Sequence, residues 1–467
     1  MSYASPHELD FSAPARLILH SYRLTDLIYW ICDISTLCSP MRAEVRTLSK
    51  EAGCVAIIGA GIMGWMLAFA LTKRGILCKI VDTDPAGKYA STGNQSWMQS
   101  GALYLAKTVP DEVTAEACRE GYHYIMGYSK RLVQHAVPCY FLFHYKKQCQ
   151  SVIERCRAFG IDARPVSIEE IGEPLLKGSD LRYAARVPDH PFNNSQLLRS
   201  IAEQACTGGA QFYPVASLET IEIQRNGSNL LVSLDNTEKI ECKGIILACG
   251  AMIPAMLERL LPGQGARFRL TKNPVLALCS DISIASSMLI PPREPGGPHL
   301  VPFDTAEGNG VSVCIPSTEA VITDYRDHDL YPEHLKEFAS GLLNFYSGIK
   351  TVAAEHTILA YVYYCQKLHL QEEFDKNQWG RRTIYLSYAL EAGAPNNIYV
   401  LYPGKATAAP ILAEMCVQEL VKQLEGLQVD FNRPRTVPPT IAKPRYCDEP
   451  EYRLVVENRK LDFRRRL

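Results

Sequence analysis

The stretch Val55-Ala56-Ile57-Ile58-Gly59-Ala60-Gly61-Ile62-Met63-Gly64 decides the fold. Val55–Ile58 is a short apolar strand. It runs into glycines at 59, 61 and 64, spaced as G-x-G-x-x-G. The first glycine permits a tight turn, the second lets backbone approach a pyrophosphate, and the third lets helix and strand pack closely. From Ile62 to Arg74 the sequence is apolar and free of proline, which predicts a helix. Gly75 sits where a left-handed cap residue ends it. Ile76–Val81 is a second strand, and Asp82 closes it 23 residues after Gly59. A carboxylate there can accept hydrogen bonds from a ribose hydroxyl, and it disfavours a 2′-phosphate. The helix start, Ile62 and Met63, offers N–H groups and a partial positive charge to phosphate. Strand, turn, helix, strand and acid stand in order, so this is a dinucleotide-binding βαβ unit.

The chain has 467 residues, long enough for more than one core. A net charge of -1 excludes a broad electrostatic partner, so no nucleic acid is expected. Sixteen cysteines occur, without a CxxC pair or zinc spacing. They read as buried free thiols in a reducing compartment, which points to a cytoplasmic location. The Asn-x-Ser triplets at Asn94, Asn193 and Asn226 are then chance matches. No uncharged apolar run is long enough for a membrane span. Residues 1–50 lack signal-peptide features; they are read as an added N-terminal helix, or as preceding a start at Met41.

Further along, helices are expected up to about Arg131, over 150–176 with a turn at Gly160, and over Asn194–Cys206. Residues 210–248 alternate like a meander, with a turn at Asn236-Thr237. Residues 266–330 are strand-rich. Helices follow at Glu333–Tyr346 and from about Ala408, the latter after the strand Ile398–Leu401. The Pro- and Arg-rich tail beyond 428 is expected to pack loosely on the surface.

The fingerprint does not separate FAD from NAD. Three later segments do: Ser91-Thr92-Gly93-Asn94-Gln95-Ser96-Trp97-Met98-Gln99-Ser100-Gly101-Ala102-Leu103-Tyr104, Ile245-Ile246-Leu247-Ala248-Cys249-Gly250-Ala251, and Tyr402-Pro403-Gly404-Lys405-Ala406-Thr407. With them the sequence resembles the D-amino-acid oxidase-like superfamily of FAD-dependent oxidoreductases, nearest the L-2-hydroxyglutarate dehydrogenase and FAD-dependent glycerol-3-phosphate dehydrogenase branch. Ala115–Gly121 looks like part of the helix that follows their flavin segment.

The resemblance implies an α/β (α+β) fold: a Rossmann-type FAD-binding domain with an inserted β-rich substrate domain. The corresponding boundaries are 1–50 for the extension, 51–140, 195–255 and 395–425 for the FAD-binding domain, 141–194 and 256–394 for the substrate domain, and 426–467 for the tail. It also implies cofactor contacts. Gly59, Gly61, Ile62, Met63, Gly64, Asp82 and Thr83 form the dinucleotide end. Ser91, Thr92, Asn94, Gln95 and Ser96 wrap the pyrophosphate and the flavin edge. Val215 stands near the adenine, and Ala248 and Gly250 close the second segment. Gly404, Lys405, Ala406 and Thr407 put a helix N-terminus near flavin N1 and C2=O, where charge develops on reduction.

The sequence departs from that branch in two places. Gln99 stands where the branch has a flavin-proximal histidine. A family arginine for the substrate carboxylate has no match in 360–366. Gln99 is a candidate to hydrogen-bond substrate or flavin, or else braces the loop. His190, in Asp189-His190-Pro191, is a candidate general base, or else part of a capping loop. Lys272, after Arg267 and Arg269, is a candidate to activate oxygen or bind a carboxylate, or else lies on a solvated face. Tyr361, Tyr363 and Tyr364 line a pocket or pack a core, with Tyr361 and Tyr363 on one face. Arg381 and Arg382 bind an anion or are merely solvated. Cys365 carries a covalent flavin link or is a buried thiol.

The expected activity is oxidation of a C–H beside an amine or hydroxyl of a small polar molecule, an amino or hydroxy acid, with hydride passing to flavin N5. Oxygen, a quinone or another carrier would reoxidise the flavin. An NAD-dependent dehydrogenase and a non-catalytic FAD-binding protein are the alternatives.

Overall fold

The computed structural model describes residues 53–84, 90–128, 137–235, 238–280, 284–291, 297–305, 308–315, 319–327, 332–372, 384–390, 397–423, 452–457 and 460–465. The readings made for residues 1–50, Asn236-Thr237, and Arg381 and Arg382 lie outside the described residues.

The βαβ unit forms as its pattern demands. Strand β1, Cys54–Ile58, is buried along its whole length and pairs in parallel with β2, Cys78–Asp82. A strand buried on both faces reads as an unbroken apolar run. Between them runs helix α1, Ile62–Lys73, with every residue from Met63 to Thr72 buried. It lies between the helices Asn194–Thr207 and Ala409–Gln423. Fully buried side chains such as Trp65, Leu67 and Leu71 each contribute about 1.5–3 kcal/mol. The one polar group in this stripe, Thr72, donates its hydroxyl back to the Ala68 and Phe69 carbonyls at 2.8 and 3.1 Å. Gly75, at φ 70°, ends the helix. Its N–H donates to the Thr72 carbonyl at 2.9 Å, and that of Ile76 to Leu71 at 3.0 Å, the paired bonds of a left-handed helix stop.

β1 also pairs in parallel with Glu238–Leu247, which pairs in parallel with Ile398–Tyr402; β2 pairs in parallel with Gln211–Pro214. These strands form the heart of an eight-stranded sheet. The meander therefore differs from expectation. Gln211–Pro214 belongs to the parallel core. The antiparallel run is Glu222–Asn226, Asn229–Leu234 and the outer half of Glu238–Leu247. Ile384–Tyr388, assigned above to the substrate domain, is instead the antiparallel edge of this first sheet. Ile384, Leu386 and Tyr388 alternate into its core, which holds the strand there.

The second sheet has eleven strands around two long antiparallel partners, Phe268–Ser280 and Ile358–Leu370. Its two faces alternate residue by residue. Leu276, Leu278, Ala360 and Val362 face the helices Pro332–Phe345 and Ile349–Glu355. Val275, Ala277 and Tyr363 face the other way. Two segments differ from the sequence reading. The helix Lys146–Ala158 stops at Gly160, φ 74°, and Arg164–Ser167 then forms an edge strand rather than more helix. Pro165 suits an edge. In the tail, Tyr452–Glu457 and Lys460–Arg465 make a hairpin on Ile358–Ala360 and bury Leu454, Leu461 and Phe463, so this part does not pack loosely. Every cysteine of the described residues is a free thiol, and among the described residues no helix is long and apolar enough to cross a membrane.

Candidate active site

Backbone closes in on the glycine turn at Gly59 and Gly64. Gly59 has φ 115°, and a β-carbon there would meet the Ala248 carbonyl carbon at 2.6 Å. One on Gly64 would stand 1.9 Å from the Gly59 carbonyl oxygen. Asp82 accepts the Ala60 N–H at 2.6 Å and the Thr83 N–H at 2.7 Å. Burial raises its carboxyl above the usual range, against the pull of these donors. The Val215 N–H donates to the Asp82 carbonyl at 3.0 Å, and that of Ala248 to Ile58 at 2.8 Å. Gly250, at φ 60°, follows directly. Ser91 reaches the same mouth: its Oγ accepts the Ile62 N–H at 3.0 Å and would be 2.9 Å from a β-carbon on Gly61. Two of the later segments thus converge on the C-terminal ends of the parallel strands, where open α/β sheets bind ligands.

From Ser91 the chain passes between the two sheets. Thr92 is fully buried. Asn94 organises the loop: its Nδ2 donates to the Ala90 and Ser91 carbonyls at 2.9 and 3.0 Å, while its Oδ1 accepts from Ser96 N–H and Asn194 Nδ2 at 2.8 and 2.7 Å. Ser96 is held at φ 54°, a left-handed backbone that costs a non-glycine residue about 1 kcal/mol or more. The second sheet braces the loop from the other side. Tyr363 Oη donates to the Asn94 carbonyl at 3.2 Å, Ser312 Oγ to the Gln95 carbonyl at 3.1 Å, and Gln95 Nε2 to the His299 carbonyl at 3.3 Å. The third segment arrives through Thr407, whose Oγ1 accepts the Gln99 N–H at 3.2 Å. Thr407 stands at the start of Ala409–Gln423, and Lys405 Nζ lies 5.7 Å from the Tyr104 ring centre.

This cradle fits a dinucleotide that continues into a flavin. Ser96 Oγ, Gln99 Oε1 and Asn194 Oδ1 are buried polar atoms without a partner in the chain. Each such atom costs about 1–3 kcal/mol until something hydrogen-bonds it. Ser96 and Gln99 belong to the loop between the glycine turn and Thr407, and Asn194, at the start of its helix, bonds Asn94 of that loop.

The three catalytic candidates separate. Gln99 is buried beside Thr407. His190 is half-buried, pairs with Met98 and stacks on Tyr122, ring centres 6.4 Å apart. Lys272 is fully buried, ion-paired to Asp327 Oδ1 at 2.5 Å and 4.8 Å from the Tyr364 ring centre. Tyr364 and Lys272 belong to the even-numbered rows, whereas Tyr363, whose hydroxyl touches the flavin loop, is on the opposite face. The alternative of a solvated strand face is therefore wrong for Lys272. Tyr361 and Tyr363 do share a face, stacked at 6.0 Å. Cys365 is a partly exposed thiol one alternation further on.

Two clusters escaped the sequence reading. On the Tyr363 face, Lys367 Nζ pairs with Glu319 Oε2 at 2.8 Å, and His369 Nε2 lies 3.2 Å from Glu319 Oε1 and 2.9 Å from Thr271 Oγ1, which also bonds Glu319. The polar alternation Cys365, Lys367, His369 after Tyr361 and Tyr363 was the available signal. Behind Gln99, Asp189 accepts from Ser100 N–H at 2.8 Å and from the Ser100 hydroxyl.

A glycine-rich βαβ mouth, an acid at the second strand end and a braced loop under a large antiparallel sheet define a two-sheet, dinucleotide-dependent oxidoreductase. The chain belongs to the DAO family, FAD dependent oxidoreductase, whose family model matches residues 54–365. No curated protein matches the sequence. Among solved structures it is similar to L-alpha-glycerophosphate oxidase from Mycoplasma pneumoniae with FAD bound, at 16% identity over 84% of this chain and 100% of that one, TM-score 0.64. It is also similar to glycine oxidase from Geobacillus kaustophilus, at 14% identity over 82% and 99%, TM-score 0.61. L-amino acid deaminase from Proteus vulgaris shares 14% identity over 84% and 99%, TM-score 0.60. At these identities the likeness speaks for the fold. Family membership makes this chain an FAD-dependent oxidoreductase and sets aside the NAD-dependent and non-catalytic alternatives.

Proposed function

We propose that this protein oxidises a C–H bond beside an amine or hydroxyl of a small polar substrate, an amino or hydroxy acid. FAD, when bound, supplies the hydride acceptor at N5. The reading rests above all on the row of unpartnered buried atoms, Ser96 Oγ, Gln99 Oε1 and Asn194 Oδ1. They line the path from the glycine turn to the helix start at Thr407.

In this reading Gly59, Gly61, Gly64 and the N–H groups of Ile62 and Met63 hold the pyrophosphate, Asp82 and Thr83 the ribose, and Val215 the adenine. The Ser91–Ser96 loop, Ala248 and Gly250 flank the cofactor. Gly404 to Thr407 present N–H groups and a helix dipole to the pyrimidine end of the flavin. Gln99 orients the flavin or the substrate. Tyr361, Tyr363 and the Lys367–Glu319–His369 group form the opposite wall, and the two sheets exclude water. Gln99 cannot titrate near neutral pH, so a proton released by the substrate passes to the wall or to solvent.

The test is anaerobic mixing of the FAD-loaded protein with panels of amino acids and hydroxy acids, followed by admission of oxygen or a quinone. Bleaching of the visible flavin band by one panel supports the reading, and its return identifies the acceptor. A loaded protein that dithionite bleaches but no member of either panel does would refute it.

A further inference from the structure

Asp189 is the most costly group next to the cradle. It is fully buried, and none of the interactions that offset its burial comes from a cation. Ser100 donates to it twice, from its N–H at 2.8 Å and from its hydroxyl in a short contact. The Trp97 indole N–H lies close enough to favour the anion but outside hydrogen-bond geometry, which leaves Oδ2 without a formal partner.

The titratable groups facing it are known from each packed element. Cys118 and Tyr122 come from the helix Glu112–Tyr128, Cys139 from the strand Cys139–Phe143 and Cys156 from the helix Lys146–Ala158. Burial pushes their thiols and phenol up, and the Asp189 charge pushes them further, so all stay neutral at ordinary pH. The next residue, His190, stacks on Tyr122. Asp189 therefore holds a lone charge among neutral neighbours.

Its placement gives that charge a use. Ser100 follows Gln99, and Met98, which precedes Gln99, pairs with His190. The Asp189-His190 dipeptide thus grips the chain on both sides of Gln99, while Thr407 grips the Gln99 N–H itself. We propose that Asp189 is a positioning residue for the flavin site: through the two Ser100 donors its carboxylate holds the Met98–Ser100 segment against Thr407, and its ionisation makes that grip depend on pH. Once protonated, the carboxyl is neutral and its charge-assisted bonds from Ser100 weaken to ordinary ones, so the segment loosens.

This inference rests on the FAD reading of the cradle, and the experiment separates the two. Apoprotein is titrated with FAD by flavin fluorescence from about pH 5 to about pH 8, bracketing the value of about 6 to which burial pushes Asp189. The wild type should bind on the order of tenfold more weakly at the acid end, the loss of one charged hydrogen bond. Asp189→Asn keeps an acceptor for Ser100 but cannot ionise. Its affinity should be flat with pH and near the acid-limb value. Ser100→Ala removes the grip and leaves the charge, so affinity should fall across the whole range. A second readout needs no flavin: the apoprotein melting temperature of Asp189→Asn should exceed wild type at about pH 8, and the gap should narrow as pH falls towards about 4. Failure of every protein to bind FAD would overturn the cofactor reading. Binding with the same pH profile in wild type and Asp189→Asn would overturn the role of Asp189 alone.

Discussion

Replacing Gly121 with alanine should disturb the flavin end of the site more than its small volume suggests. Gly121 lies in the helix Glu112–Tyr128, pressed on the turn that starts Ala409–Gln423. A β-carbon there would be 1.7 Å from the Thr407 carbonyl oxygen, 2.8 Å from its carbon and 3.3 Å from the Ala408 Cα. These are backbone atoms, so no side chain can swing aside. Normal contact is about 3.5 Å, and the two helices must part by roughly 2 Å. The bond from Gln99 N–H to Thr407 Oγ1 is already 3.2 Å long, and it cannot survive such a shift. Overpacking costs about 1–3 kcal/mol, against a gain of up to about 1 kcal/mol from alanine in a helix. Misplacing the helix start by about 1 Å costs on the order of a hundredfold in rate. The assays are thermal melting, FAD affinity of the apoprotein and anaerobic flavin reduction. Gly127→Ala, in the same helix with nothing near its β-carbon, is the control and should be neutral or stabilising. A G121A protein with wild-type FAD affinity and reduction rate would refute the claim that this glycine sets the position of Thr407.

Three further outcomes follow from distances and charges given above. Asp82→Asn should weaken FAD binding about ten- to a hundredfold by losing a charged acceptor, with no loss of apoprotein stability, since burial disfavours the charge; unchanged affinity by fluorescence titration would count against a ribose role. Asp189→Asn should stabilise the apoprotein above about pH 6 by up to about 3 kcal/mol, the equivalent of a rise from 3.8 to about 6. The sign follows from the raised value: the folded state holds this proton longer than the unfolded state, so its contribution is full below about 4 and lost as pH rises through about 6; equal denaturant midpoints at about pH 8 would contradict it. Lys272→Met should cost about 1–3 kcal/mol by stranding Asp327 and leave the rate of flavin reoxidation by oxygen unchanged; a slowed reoxidation in a stable variant would restore Lys272 to the site.

The legible part of the site is the part held by local rules. The βαβ mouth could be read because each of its demands falls on a single residue type at a given spacing: glycine at φ 115° and at the helix crossing, glycine again at the helix stop, and an acid at the strand end. The flavin loop and the turn at Thr407 were found as segments, and the fold brings both to one place. What escaped was decided by neighbours distant in sequence. The hairpin Tyr452–Arg465 has no visible reason to fold until the edge at Ile358–Ala360 is there to receive it. Asp189 and His190 are adjacent and equally polar. One is sealed behind Ser100 and the other stacked on Tyr122, and nothing in the dipeptide says which.

The long strands make the same point about chemistry. Thr271 pairs with Lys367 and Lys272 with Gln366 across the second sheet. In this register Thr271, Lys367 and His369 share the face of Tyr363, which touches the Asn94 carbonyl, and Lys272 and Tyr364 share the other. A slip of one residue in either strand would turn that strand's set to the opposite face. A slip in Phe268–Ser280 would bring Lys272 to the face of Tyr363 and part it from Asp327, and a slip in Ile358–Leu370 would part Lys367 and His369 from Glu319. Lys272 and Lys367, one pairing step apart across these two strands, are thus equivalent as sequence, and a single step of register decides which shares the face of Tyr363 and which pairs with Asp327.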